Sequence, residues 1–120
     1  MNALRERGLK IAELNDALRT RCASAEAVQH GQVMITRGVS ALDSVAVEKV
    51  LRAVASFDAF SADNDPYGEH DFGSLTVADN TIFWKIDAYQ KGSDYLSGAE
   101  TPENPTATDR ILTIMLAEEY

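Results

Sequence analysis

The sequence predicts an α+β fold in which a small antiparallel sheet of about three strands packs against about three helices. Residues 44–57 place apolar side chains at helical spacing, residues 74–87 form two strand-like runs around a central hairpin turn, and residues 3–22 form another helical stretch. The predicted order is helix, strand, helix, strand, strand, helix, in a single domain spanning residues 1–120. Amphipathic helices would cover one face of the sheet.

Composition agrees with this class. The 120 residues are 45% apolar and 25% charged, which is usual for soluble globular proteins. No segment reaches the ~20 apolar residues that a membrane span needs, and the N-terminus lacks the apolar stretch of a signal peptide. The single cysteine, Cys22, cannot form an intramolecular disulfide or a zinc site by itself. We therefore expect a cytoplasmic protein without membrane contact.

The charge is unevenly distributed along the chain. Residues 1–22 have a net charge of +2, and residues 23–57 are balanced. Residues 58–120 carry thirteen acidic side chains against three basic ones, a net charge of −10. Because like charges repel, free nucleic acid is not expected to bind this second half. A basic protein surface or a metal ion would be attracted to it.

The first helix is predicted over residues 3–22 from an apolar seam. Gly8 weakens its first turns, so the firm part is expected to begin near Leu9. The seam is either a stripe facing the core or a contact with a second chain, which leaves a homodimer open. The seam residues are Leu4, Ile11, Leu14 and Leu18.

A short strand over residues 33–36 and an amphipathic helix are expected next. Residues 40–43 have a capping-box pattern, and Ser44 is a competing helix start. The helix must end before Pro66, because residues 63–65 favour a turn. Its apolar face consists of Val47, Val50, Leu51, Val54 and Phe57.

The hairpin is predicted to turn at Asp79-Asn80, which tolerates positive φ. This register pairs Ala78 with Thr81 and Leu75 with Trp84, and it gives one apolar face. The open face would carry aromatic and charged groups, and it is either covered by another element or docks a partner. Its aromatic residues are Phe72, Phe83 and Tyr89.

The last element is predicted as a helix. Residues 90–105 form a loop rich in Gly, Ser and Pro, and residues 106–109 repeat the capping-box pattern. An apolar stripe then runs to Tyr120, at Ile111, Leu112, Met115 and Leu116.

The densest set of ionisable groups comprises Asp65, Glu69, His70 and Asp71, joined across the hairpin by Asp87. Oxygen ligands and one imidazole are able to hold a divalent metal. The same residues also fit a plain role in turns and strand ends. Because the spacing matches no known metal class, we assign no catalytic residue, metal or cofactor.

Several stretches together resemble a family of small bacterial proteins of unknown function that is widespread in alphaproteobacteria. The resemblance implies a fold, and a size and setting similar to accessory genes of plasmids and phages, but no activity. The stretches are residues 11–19, 36–39, 64–73, 84–87 and 112–120.

The acidic charge of residues 58–120 and the family resemblance together predict a non-enzymatic acidic binding protein. Its partner would be a protein with a basic surface, such as a CRISPR or restriction complex that holds nucleic acid in a basic channel. The alternative is a metal-dependent hydrolase centred on Glu69, His70, Asp71 and Asp87. The predicted partner-binding residues are Asp63, Asp65, Tyr67, Glu69, Asp71, Phe83, Asp87 and Tyr89.

Overall fold

The computed structural model describes residues 3–120, and it confirms the α+β class. The helices are α1 (Ala3–Arg19), α2 (Arg37–Ser40) and α3 (Ser44–Ala55). The strands are β1 (Gln32–Ile35), β2 (Phe72–Val77), β3 (Asn80–Gln90) and β4 (Thr108–Leu116). Short 3-10 turns cover Ala25–Gln29, Pro105–Ala107 and Ala117–Glu119.

The four strands form one mixed sheet in the order β1-β4-β3-β2. Strand β3 is antiparallel to both β2 and β4, whereas β1 runs parallel to β4. The predicted three-stranded antiparallel sheet and the predicted order of elements are therefore wrong. Among residues 3–120, no helix combines the length and apolar character that crossing a membrane requires.

The predicted C-terminal helix is a strand, β4, at the centre of the sheet. Residues 111–116 are a short, nearly continuous apolar run, and such runs fit a helix and a buried strand equally well. The strand prevails because β4 pairs along one side with β3 and along the other with β1. The predicted helix start is a 3-10 turn, in which the Asn104 side chain accepts a hydrogen bond from Thr106 N.

The hairpin turns one residue earlier than predicted. Ala78 and Asp79 both adopt positive φ (49° and 66°), so that Val77 pairs with Asn80 and Gly73 lies opposite Trp84. The predicted pairs are therefore wrong. Each residue of β2 pairs with a residue of β3 two positions earlier than predicted, so every side chain stays on its predicted face of the sheet. The predicted apolar face is confirmed.

Helices α1 and α3 pack on this apolar face. The helix predicted from residues 44–57 is confirmed over Ser44–Ala55, and Phe57 lies beyond its end. The Asp43 side chain caps α3 by accepting a hydrogen bond from Ala46 N at 2.9 Å. The fully buried side chains of the core are Leu18, Val39, Val50, Val54, Ile82, Trp84, Leu112 and Ile114.

Helix α1 spans Ala3–Arg19, which confirms the helix predicted over residues 3–22 up to Arg19, and it is already helical before Leu9, where the firm part was expected to begin. Gly8 has a packing role there, because a Cβ on it would lie 2.9 Å from the carbonyl oxygen of Tyr67. The seam is divided, since Ile11 and Leu18 are buried whereas Leu4 is exposed. The core-facing interpretation therefore holds for the second half of α1.

Candidate partner-binding site

The loop between α3 and β2 is organised around a buried acid, Asp65. Its carboxylate accepts hydrogen bonds from the backbone N–H groups of Glu69 and His70, at 3.1 and 3.2 Å. These bonds close the turn that follows Pro66. Asp65 is only 9% exposed, so its side chain supports the loop from within.

His70 ties this loop to helix α1. Its ring stacks on Phe60 with centroids 3.8 Å apart, and Nδ1 lies 3.0 Å from the Asp16 carboxylate. Because a carboxylate only accepts, this hydrogen bond requires the proton on Nδ1. His70 has a positive φ of 55°, a strained conformation that these contacts stabilise.

A second buried polar contact fixes the same loop to the sheet. Asn15 on α1 donates its Nδ2 to the carbonyl oxygen of Glu69 at 2.9 Å. Its Oδ1 accepts from Nε of Arg110 on β4, also at 2.9 Å. Arg110 also donates to the carbonyl of Pro102 in the loop that precedes β4. Residues 69–71 and 98–102 are thereby held beside the same edge of β3, the edge away from β4, where Asp71 bonds to Ile86 and Gly98 pairs with Tyr89.

Between these two segments lies a cavity of about 290 Å³ that we call the acidic cleft. Three carboxylates line it, from Glu69, Asp71 and Asp87. The strand β2 begins only at Phe72, and Asp71 O accepts a hydrogen bond from Ile86 N at 2.9 Å. The cleft therefore opens beside β3, between the residues that precede β2 and the segment 98–102. Its other lining residues are Ile11, Asn15, Ile86, Ala88, Gly98, Ala99 and Pro102.

Two carboxyl groups of the acidic cleft resist ionisation. The pKa of Asp71 is raised, first by burial and then by the negative charges of Asp65 and Asp87. The pKa of Glu69 is raised by burial and by the charge of Asp71, although Arg7 opposes this. The cleft thus concentrates negative charge that is only partly compensated, and it favours a cationic group.

We expect Asp71→Asn to stabilise the protein modestly at neutral pH. A raised pKa in the folded state means that the ionised form opposes folding above that pKa. The penalty is absent in acid, below the ordinary value of 3.8. Denaturant unfolding of the variant and the wild type, at neutral pH and at a pH below 3.8, measures the difference in their free energy of unfolding. This difference should vanish at the acidic pH. Glu118→Gln removes an acid outside the cleft and serves as the control, and an equal gain from both variants would contradict the prediction.

The face of the sheet opposite α1 and α3 is half-exposed, and we call it the open face. Phe83 packs against Phe72 and the C-terminal Tyr120, with ring centroids 5.5 and 5.6 Å away. Further along β3, Tyr89 contacts Tyr95 edge-on at 5.7 Å. Partly exposed aromatic rings with a polar rim are typical of protein-binding surfaces.

Asp87 joins the open face to the acidic cleft. Its carboxylate forms an ion pair with Lys85 at 2.8 Å, and it also lines the cleft. The Lys85 ammonium is partly exposed and its pKa is raised, chiefly by the hydrogen bond to Asp87. The ion pair lies on β3 between Phe83 and Tyr89, and its acid is one of the three acids of the cleft.

The predicted partner-binding residues thus fall into three places. Glu69, Asp71 and Asp87 meet at the acidic cleft, while Phe83 and Tyr89 lie on the open face. The other three belong to the loop before β2, where Asp63 and Tyr67 are exposed and Asp65 is buried; Tyr67 is 81% exposed.

The fold sets the His70 ring apart from the three acids of the predicted hydrolase centre. The His70 ring is turned towards Asp16 and Phe60, whereas Glu69, Asp71 and Asp87 line the cleft. Among the described residues, no group of three or more His, Cys, Asp or Glu side chains is arranged to hold a metal ion. The hydrolase hypothesis stays a prediction.

The sequence interpretation missed the polar side chains of α1 that hold the site. Asn15 lies four residues after Ile11 and three before Leu18, on the same buried stripe. A polar residue at a core position needs a buried partner, and this signal was present in the sequence. Tyr95 and Tyr120 carried no comparable signal, because contacts with distant strands place their rings.

The fold and this site define a small two-layer α+β protein with an acidic cleft at the edge of a half-exposed sheet. Residues 35–119 match the model of a family described as "Protein of unknown function (DUF3768)". The chain belongs to this family. The matched region begins at the last residue of β1 and contains the three acids of the cleft. No curated protein and no solved structure matches the chain.

Proposed function

We propose that this protein is a non-enzymatic binding protein that recognises a basic protein surface. The acidic cleft carries the proposal, because it holds three carboxylates, two of them with raised pKa values, beside partly exposed aromatic rings. Carboxylates kept together against their mutual repulsion are more typical of a functional site than of a structural one. A lysine or arginine side chain from a partner would relieve that repulsion.

The overall charge supports the same partner. The net charge is −8, with the excess of acids in residues 58–120. Part of the basic charge of α1 is engaged within the protein: Arg7 forms an ion pair with Glu103 at 3.0 Å, and Arg19 is buried. The exposed acids would therefore steer a basic partner from a distance and favour it over acidic competitors.

The open face would supply most of the affinity. Surface ion pairs contribute about 0–1 kcal/mol each, whereas aromatic side chains are frequent hot spots of interfaces. Phe83 and Tyr89 lie on the same strand as Asp87, so one partner could contact the rings and the cleft together. Tyr67, at the tip of the loop before β2, is a further exposed anchor.

In its narrower form, the proposal makes this protein an inhibitor of a host defence complex. Complexes that target nucleic acid hold it in basic channels, and an acidic protein would occlude such a channel by charge complementarity. An anti-CRISPR or anti-restriction protein from a mobile element is the specific role that fits these properties.

We expect the acidic cleft to bind an arginine-rich peptide in a salt-dependent manner. The measurement is the affinity by titration calorimetry at two salt concentrations, together with NMR shifts of the backbone amides at Glu69, Asp71 and Asp87. Affinity should fall as salt rises past ~0.15 M, where the screening length is about 8 Å. Each neutralised acid at close range removes about 1 kcal/mol, or roughly fivefold in affinity.

Two double variants that remove equal charge distinguish binding at the acidic cleft from a general effect of the net charge. Glu69→Gln with Asp71→Asn removes two charges at the cleft, and Glu6→Gln with Glu13→Gln removes two from the exposed side of α1. The cleft pair should weaken binding clearly more than the helix pair. Equal losses, or NMR shifts spread over the whole surface, would reduce the effect to general electrostatics and contradict the proposal.

A further inference from the structure

The strand β1 leaves one edge of the sheet without a neighbouring strand within residues 3–120. On its other side, the parallel ladder with β4 continues through Thr36, whose N–H donates to Ile114 O at 3.0 Å. Because backbone groups alternate in direction along a strand, Gln32 and Met34 also face β4. The N–H and C=O groups of Val33 and Ile35 therefore point away from the sheet.

This edge also exposes apolar side chains. Met34 is 52% exposed and Ile35 is 36% exposed, and Val28 on the preceding 3-10 turn is exposed as well. Residues 32–36 contain no charged residue and no proline. Natural sheets usually protect an edge with lysine, proline or a bulge, and β1 carries none of these within its strand.

At the opposite edge of the sheet, acidic residues disfavour the pairing of β2 with β2 of a second copy of the chain. If two copies of β2 paired antiparallel about a two-fold axis at Leu75, Asp71 of one copy would lie opposite Asp79 of the other. Like charges placed directly opposite each other destabilise a strand pair. A two-fold axis at Met34 of β1 instead places Gly31 opposite Arg37, so no acids meet.

We propose that β1 pairs antiparallel with β1 of a second copy of this chain, about a two-fold axis at Met34. The register lets Val33 and Ile35 of each copy exchange N–H···O=C bonds, so the two sheets join into one of eight strands. The molecule is strongly acidic overall, and this uncharged edge is where a second copy approaches without close contact between acids.

A groove beside β1 gives the second copy a place for its side chains. The groove has a volume of about 350 Å³ and lies between the 3-10 turn at Ala25–Gln29 and the strand. The register brings the partner's Ile35 next to Val33, on the sheet face where Val33 packs against the core. The mainly small and apolar groove residues beside Val33 are Cys22, Ser24, Ala25, Ala27 and Val28.

The direct test is disulfide trapping with Met34→Cys. Residues facing each other at a non-hydrogen-bonded position have Cα atoms about 4.5 Å apart, within the ~4.4–6.8 Å range that a disulfide accepts. The native Cys22 does not interfere, because it is buried and burial raises the pKa of its thiol to about 11. We expect mild oxidation to convert this variant largely to covalent dimer.

The matched control is Thr76→Cys, an exposed position on the β2 edge, which should remain mostly monomeric under the same oxidation. Sedimentation of the wild type should show a dimer that grows with protein concentration, and Ile35→Lys should abolish it, with circular dichroism to verify folding. A wild type that stays monomeric at every concentration, equal trapping at both positions, or a dimer that persists in a folded Ile35→Lys variant would overturn the proposal.

Discussion

Replacing Trp84 by alanine is expected to destabilise the protein by about 3–5 kcal/mol, the range for removing a large buried aromatic side chain. Trp84 is fully buried at the centre of β3. Its ring contacts Phe57 and Phe60 edge-on, with centroids 5.5 and 6.1 Å away. The guanidinium of Arg19 lies 5.2 Å from its ring centroid. The alanine variant would therefore lose contacts to α1 and to the loop that follows α3 together, and denaturant unfolding measures the loss.

Gly73 provides the internal control for this prediction. It lies opposite Trp84, and a Cβ at Gly73 would approach Cε2 of the indole to 2.6 Å. Gly73→Ala alone should thus cost about 1–3 kcal/mol through overpacking. In the Trp84→Ala background the same change should cost much less, since the indole is gone. Additive effects of the two substitutions would show that the two positions do not pack as described.

Arg19→Ala is expected to have the second large effect, again about 3–5 kcal/mol, because it leaves buried groups without their partner. Arg19 is 3% exposed, and its Nη1 donates to the carbonyl oxygens of Val54 and Phe57 at 2.9 and 2.8 Å. Val54 lies in the last turn of α3 and Phe57 just beyond its end, so Arg19 joins α1 to the C-terminal end of α3, where backbone N–H partners are fewest. Its Nη2 also donates to Asp16, the acid that holds His70.

Arg52→Ala is the matched control, because Arg52 forms an exposed ion pair with Glu48 within α3. Such a pair contributes about 0–1 kcal/mol. Arg19→Lys should fall between the two, since an ammonium cannot satisfy these diverging acceptors in the fixed geometry of a guanidinium. Thermal or denaturant unfolding of the three variants tests the ranking. A loss from Arg19→Ala no greater than that from Arg52→Ala would contradict it.

Local pattern in the sequence was sufficient for helix α3 and for the faces of the hairpin. In α3, apolar residues recur with the period of a helix, and Val50 and Val54 are buried as that period requires. In the hairpin, successive side chains alternate between the two faces of the sheet, and this alternation alone placed Trp84 on the buried face. The register did not follow, because it depends on which residues of the turn adopt positive φ and on Gly73 making room for the indole.

The candidate site was predicted in part. Glu69, Asp71 and Asp87 were grouped from their charge and from the hairpin, and they do meet at one cleft. His70 was placed with them because it is adjacent in sequence, but its ring contacts Asp16, 54 residues earlier. Adjacent side chains can point to opposite sides of a loop, so proximity in sequence does not identify a shared site.

The sequence by itself determined the α+β class, the amphipathic helix, the buried face of the hairpin and the acidic second half, because periodicity and charge are local properties of the chain. Only the tertiary structure decided that residues 108–116 form a strand. Their apolar run is compatible with both conformations. The choice depends on pairing with β3 on one side and with β1 on the other, and each residue of β1 lies 79 positions before its partner in β4. Backbone hydrogen bonds in a helix are satisfied locally, whereas those of a central strand need partners that only the folded chain supplies.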